Sequence, residues 1–330
     1  MSAKTKALLL LGLTVLIWGL SYPISRLALR ELSPPAFSGL RFLFGALSFL
    51  PMALRHRRRP SAYTGRHSPR LWLWGGLLNG FLLSCGTILQ ACGQAQLPAG
   101  QVSFITSLYS SLVPVMALVM GFVPRPLVLA GLLVSLAGLH LLTGGAEAGL
   151  GPAAGLVMAA NFFWAAQIVA SGYFVAKVNP RLLTLVQTIA AGLLMTGAAA
   201  AAGLMPTWEI FVKTLPYTIW GIFSAGVAYL CQTIAQRDIP ATTVAVISPL
   251  QCVVAALAGL VFLGETMTGR MVWGAAIIIL GSLLAQAARD AVRLTPDHRH
   301  FKFWNRLRRL LGILSAATVL GLLAWSIAAR

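Results

Sequence analysis

Apolar residues run along this chain in long unbroken stretches, with polar punctuation at nearly regular intervals. Stretches free of Asp, Glu, Lys, Arg and His cover 7–25, 71–124, 148–176, 182–208, 214–236, 239–264, 271–288 and 310–329. The second is long enough for two crossings with a break near 94–101. Two further stretches hold one ionisable residue each, 35–54 around Arg41 and 127–143 around His140. A helix crossing the hydrocarbon core needs about 20 mostly apolar residues, and a chain in lipid must satisfy its backbone polar groups within the segment. The pattern therefore predicts an all-α polytopic membrane protein of eleven helices. The alternation of a membrane barrel strand is absent. The first stretch is too long for the apolar core of a signal peptide and carries Trp18, Tyr22 and Pro23 where small residues would mark cleavage, which predicts a retained helix.

Comparing the chain with itself adds an internal repeat. Shifted by 146, Trp18, Pro34, Arg41, Trp74 and Gly75 fall on Trp164, Pro180, Gln187, Trp220 and Gly221. After a four-residue deletion, Gln90, Gln94, Pro98, Ala99 and Ile105 fall on Gln232, Gln236, Pro240, Ala241 and Ile247. One inserted residue later, Gly121, Gly131 and Gly138 meet Gly264, Gly274 and Gly281. Each half holds five helices, an odd number, so the second half enters the membrane from the opposite side. The expected fold is a ten-helix bundle of two inverted five-helix repeats, 1–147 and 148–288, followed by 289–330 as a basic linker and an extra C-terminal transmembrane helix. Inverted repeats of this kind place a substrate site near the midplane at the repeat interface and work by alternating access.

Composition and charge narrow the reading further. Hydrophobic residues make up 58% of the chain and charged residues 10%, far below the roughly 25% charged residues of soluble domains. The net charge of +18 would suggest nucleic acid in a soluble module. Here the cations sit at the ends of apolar stretches, so no nucleic-acid partner is expected. With the N-terminus cytoplasmic, nineteen of the 25 Lys and Arg lie inside, the bias that sets orientation. The expected location is the cell inner (plasma) membrane, multi-pass, with the C-terminus outside if the eleventh helix spans. That helix is expected to face lipid, with a homodimer contact or a lid over the bundle as alternatives.

In its repeat and the motifs below, the chain resembles the drug/metabolite transporter superfamily, EamA-type family, over about residues 8 to 288. The first helix carries Leu16-Ile17-Trp18-Gly19-Leu20-Ser21-Tyr22, similar to the family's tryptophan-glycine opening. The second carries Leu40-Arg41-Phe42, and the ninth ends in Phe262-Leu263-Gly264-Glu265 before the glycine-spaced Gly274 and Gly281. Two departures stand out. The first half reads Gly121-Phe122 where the second has Gly264-Glu265, and the tail from 289 has no counterpart in the repeat.

A gap between the halves should collect polar and aromatic side chains, because facing lipid would leave them unpaired. The candidates to line a substrate path are Trp18, Ser21, Tyr22, Arg41, Asn79, Gln90, Gln94, Tyr109, Trp164, Gln167, Tyr229, Gln232 and Gln236. Trp18, Trp164, Gln90 and Gln232 are the deeper members; Gln94 and Gln236 fall nearer the membrane ends. Arg41 either anchors its helix to the outer surface or draws the carboxylate of an anionic or zwitterionic solute. None of the seven carboxylates falls mid-membrane, which disfavours proton coupling, since proton relays place acidic or His residues within the spans. Cys85, Cys92, Cys231 and Cys252 show neither disulfide nor zinc spacing. No Walker loop, dinucleotide fingerprint or hydrolase motif is present, so no cofactor, metal or enzymatic activity is expected. The function expected is transport of small metabolites, amino-acid-like, drug-like or otherwise zwitterionic or amphipathic, by an exporter or facilitator with small-molecule substrate and membrane lipids as partners. The alternatives are a flippase for a lipid-linked headgroup and a non-transporting scaffold or sensor.

Overall fold

Helix starts follow the local chemistry of the chain. Ser2 Oγ accepts from the Thr5 N–H (3.1 Å) to open α1, Ala3–Ala28. Asn179 Oδ1 accepts from the Arg181 N–H (3.0 Å), and Pro180, whose missing N–H costs nothing at a first helical position, opens α8, Pro180–Ala201. Between them lie α2 (Pro34–Arg57), α3 (Pro69–Gln94), α4 (Ala99–Ser107), α5 (Tyr109–Met116), α6 (Pro126–Thr143) and α7 (Pro152–Val175). After α8 come α9 (Trp208–Ile219), a π-helical segment Ile222–Val227, α10 (Ala228–Asp238), α11 (Gln251–Leu263) and α12 (Gly269–Ala287). Gly264 ends α11 in the left-handed region, φ +64°, which glycine enters without steric cost. Phe122–Val123 and Val292–Arg293 form a two-residue antiparallel pair. This computed structural model describes residues 2–57, 69–116, 122–123, 126–143, 151–239, 244, 247–287 and 292–293. The expected eleventh helix, Gly121, Pro240 and Ala241 lie outside the described residues.

Among the described residues, Ala3–Ala28, Leu71–Gln94, Pro152–Val175 and Pro180–Ala201 are long and apolar enough to cross a membrane. Two stretches depart from the straight spans expected. The fourth is broken at Leu108 into α4 and α5. Three of its serines bond carbonyls three residues back, Ser103 to Gly100 and Ser107 to Phe104 within α4 and Ser110 to Ser107 across the break, a bonding mode that competes with the helical ladder. The eighth span is α9, the π segment and α10, bent by 44° at the break. This break lies where the sequence repeat loses four residues relative to α3, which runs unbroken over the same stretch.

Helix partners recur under the repeat. α2 packs on α8 and α6 on α12, each helix on its own counterpart. α3 packs on α7 and α8, and α10 with the π segment packs on α1 and α2, which is the same pair of contacts seen from the other half. The counterpart pairs run antiparallel. A Cβ on Gly138 would meet Gly274 O, and one on Gly281 would meet Gly131 O, so the earlier glycine of one helix faces the later glycine of the other. In the same way Gly39 lies against Thr196 and Gly192 against Leu43. Large apolar side chains point outward, among them Leu133, Phe262, Val261 and Trp273, as a lipid-facing surface requires. The interior instead holds buried Ser, Thr, Asn and Gln.

Candidate functional site

Where the two sets of helices meet, a cavity of about 610 Å³, its open mouth included, is lined by residues from α1, α2, α3, α4, α5, α7, the π segment, α10 and α11. The sequence candidates Trp18, Ser21, Tyr22, Arg41, Gln90, Gln94, Tyr109, Trp164, Gln167, Tyr229 and Gln232 all line it. Asn79 and Gln236 do not. Asn79 is buried on α3 and folds its Nδ2 back onto Gly75 O (2.8 Å), close to the seam where Gly76 and Gly80 touch Val186 and Ala190 of α8. Gln236 is buried and donates to Ile168 O (3.3 Å).

That second bond has a twin. Gln94 Nε2 donates to Tyr22 O (2.8 Å), and under the repeat Gln94 matches Gln236 while Tyr22 matches Ile168. The second glutamine of each Gln-x-x-x-Gln stretch therefore ties its helix to the first helix of its own half. At the same end of α3, Arg26 Nη1 donates to Gln94 O (2.8 Å) and to Ala95 O, a cation on the carbonyls of a helix C-terminus where the dipole favours it. The first glutamines are left to the cavity. Gln90 Oε1 accepts from Trp164 Nε1 (3.0 Å), whereas Gln232 has no such bond to Trp18. Trp18 instead donates to Ser224 O (2.9 Å) in the π segment, because the kink brings that carbonyl into reach and the straight α3 has no counterpart to it.

Aromatic and hydroxyl groups complete the wall. The Trp18 and Tyr229 rings meet edge to face with centroids 5.0 Å apart, and Phe42 backs Tyr229 at 5.6 Å. Ser21 Oγ donates to Ile17 O (2.6 Å) and accepts from Trp220 Nε1 (2.8 Å). Ser25, Thr106, Ile168, Ser224 and Gln251 also line the cavity and were not among the sequence candidates. The repeat carries a signal for one of them: Gln251 is the counterpart of Tyr109 at the offset that aligns Ile105 with Ile247. Ser25 lies one helical turn beyond Ser21, on the same face.

Glu265 stands apart from the cavity and has a structural task. Its two carboxylate oxygens accept from the Ala99 N–H (2.6 Å) and the Gly100 N–H (3.1 Å), capping α4, whose N-cap residue Pro98 has no side chain to do so. Among the described residues, no Asp or Glu lines the cavity, and no group of three or more metal-ligating side chains is found.

The sequence matches the EamA-like transporter family twice, over residues 5–144 and 151–286. An uncharacterized transporter of Archaeoglobus fulgidus is 27% identical over 279 residues, 83% of each chain. The uncharacterized transporter YvbV of Bacillus subtilis is 36% identical over 104 residues, 31% of this chain and 32% of its own. One solved crystal structure shares the fold, with a TM-score of 0.62 and 20% identity over 86% of this chain and 99% of that one. With apolar helices throughout and the family matched across both halves, this chain is a multi-pass membrane protein that belongs to the EamA-like transporter family.

Proposed function

We propose that the protein carries small amphipathic or zwitterionic solutes across the cell inner membrane by alternating access, as an exporter or facilitator, through the cavity lined by Trp18, Gln90, Trp164 and Gln232. Two inverted five-helix halves, divided near residue 147, form the moving parts. What supports the inversion is the antiparallel contact of counterpart helices. A two-fold axis that relates two touching antiparallel helices is perpendicular to both, and for helices crossing a membrane that axis lies in the membrane plane. Parallel repeats would instead set Gly131 beside Gly274. The N-terminus is cytoplasmic on the balance of positive charge.

The observation that carries the reading is the pairing of the cavity wall. Trp18 with Trp164, Gln90 with Gln232, and Tyr109 with Gln251 are counterpart positions brought to one space. A wall shared by both halves changes access when one half rocks against the other. Among the described residues the cavity offers no carboxylate for a proton relay, which favours a facilitator or exchanger over a proton-driven pump. A metabolite panel screened by thermal stabilisation of the purified protein, followed by counterflow of the hits in proteoliposomes, tests this. The expected result is stabilisation and flux that both weaken in Gln90→Ala and Gln232→Ala. Stabilisation untouched by either change moves the site elsewhere, and accumulation only under an imposed pH difference refutes the facilitator.

A further inference from the structure

Within the bundle the two halves differ in charge at one pair of counterpart positions on α2 and α8. Arg41 on α2 matches Gln187 on α8, and Ser25 on α1 matches Ser171 on α7. Gln187 and Ser171 are fully buried, outside the cavity, and neither finds a partner for its side-chain polar atoms. Arg41 and Ser25 both reach the cavity wall.

The surroundings of Arg41 leave its charge uncompensated. Nη1 stands 3.4 Å from Ser25 Oγ, at the long limit of a hydrogen bond. Nε is buried and has no partner. Cζ lies 5.2 Å from the Phe37 ring centre and 5.6 Å from that of Phe42, contacts that attract a cation without neutralising it. Among the described residues no Asp or Glu lines the cavity; Glu31 pairs with Lys213 on an exposed surface, and Glu265 is committed to the amides of α4. Guanidinium does not deprotonate in proteins, so it cannot shed its charge as a buried lysine would. A cation in a half-dry cavity needs an anion, and the described residues of the wall supply none.

We propose that Arg41 selects an anion: the solute enters with a carboxylate, which the free edge of the guanidinium binds, while its apolar or aromatic body lies against Trp18 and Tyr229. The geometry suits this division. Arg41 and Tyr229 both lie against the Phe42 ring, so a ligand held at the guanidinium has the Trp18–Tyr229 pair close by. Among the described residues the same wall has no carboxylate to receive an ammonium group, so organic monoanions are favoured over organic cations of equal size. This rests on the carrier reading only in taking the cavity as the place where solute binds.

Phenylacetate, phenylacetamide and phenethylammonium share one body and differ in charge. Each is titrated into the purified full-length protein in nanodiscs, with intrinsic tryptophan fluorescence and melting temperature as readouts. The expected result is at least tenfold tighter binding of phenylacetate than of the other two. Arg41→Gln should abolish the preference, and Arg41→Lys should keep part of it, since an ammonium retains the charge without the two-pronged geometry. Equal binding of all three, tightest binding of the cation, binding of none, or a preference that survives Arg41→Gln overturns the proposal. The comparison among probes is read on the unmodified protein, so a variant that fails to fold does not remove the test. Anion-selective binding without flux in proteoliposomes would refute the carrier and leave the anion site standing; flux of the cation would do the reverse.

Discussion

Replacing Glu265 by alanine removes both acceptors from the start of α4. The first amides of a helix have no intrahelical partner, and Pro98 offers none, so the Ala99 and Gly100 N–H groups depend on this carboxylate across the bundle. Two charge-assisted bonds would be worth about 1.5–3 kcal/mol each if fully buried. Glu265 is part-exposed, which reduces the pair toward the range of a helix cap, about 1–2 kcal/mol. Against that discount, Ala99 and Gly100 are buried, so water replaces the lost acceptor poorly and the stranded amides add to the loss. The expected destabilisation is about 2–3 kcal/mol for Glu265→Ala and about half as much for Glu265→Gln, whose amide oxygen still accepts one bond. Reversible unfolding in mixed micelles measures it, with Glu209→Ala as control, since Glu209 is exposed on the first turn of α9 and is worth about 0.3–1 kcal/mol there. Glu265→Ala within 0.5 kcal/mol of the unmodified protein, or Glu265→Gln as damaging as Glu265→Ala, refutes the capping argument.

Gly138→Ala should destabilise by about 1–3 kcal/mol in the same assay, because its Cβ would lie 2.7 Å from Ile278 N and 2.8 Å from Gly274 O, backbone atoms that cannot step aside. Gly155→Ala meets nothing within 4 Å and should stabilise by up to about 1 kcal/mol through helix propensity. Gln94→Ala and Gln236→Ala each remove one interhelical bond and should cost about 0.6–1.7 kcal/mol, the range measured for such bonds in membranes; similar costs in the two halves are expected and can be read by thermal unfolding. Gln90→Ala leaves the Trp164 indole N–H without its acceptor and should weaken solute affinity by about fivefold, about 1 kcal/mol, checked by calorimetric titration with a hit from the metabolite panel.

The repeat is legible in the sequence because its markers are residues a membrane helix seldom uses. Two Trp pairs and two Gln-x-x-x-Gln stretches in apolar surroundings are hard to place by chance, and Trp18, Trp164, Gln90 and Gln232 among them line one cavity. The roles within each glutamine pair were harder to see. Gln90 and Gln94 share a helix face and both line the cavity, yet one accepts from the Trp164 indole and the other donates to the Tyr22 carbonyl, since four residues along α3 the neighbouring α1 backbone comes into reach. Asn79 illustrates the opposite case. It is a polar residue in an apolar run, but its bond to Gly75 O satisfies it within its own helix, so polarity alone does not place a residue at a shared gap. Ser224 reaches the site through its backbone carbonyl, for which side-chain identity carries no signal.

The amino-acid sequence by itself determined that this chain lives in lipid, is helical and is built from two related halves. Those conclusions follow from apolar run length, from the need to bond the backbone internally where no water is available, and from matched positions along one string. The tertiary structure alone decided which face of each helix meets the gap, where α4 breaks from α5, and how the π segment turns Trp18 to Ser224 instead of Gln232. The physical reason is that helix rotation and bending are set by the closest approach of neighbouring backbones, Gly138 on Gly274 and Gly39 on Thr196. Such contacts join residues far apart in the chain, and the spacing of glycines within one helix does not say which helix will meet them.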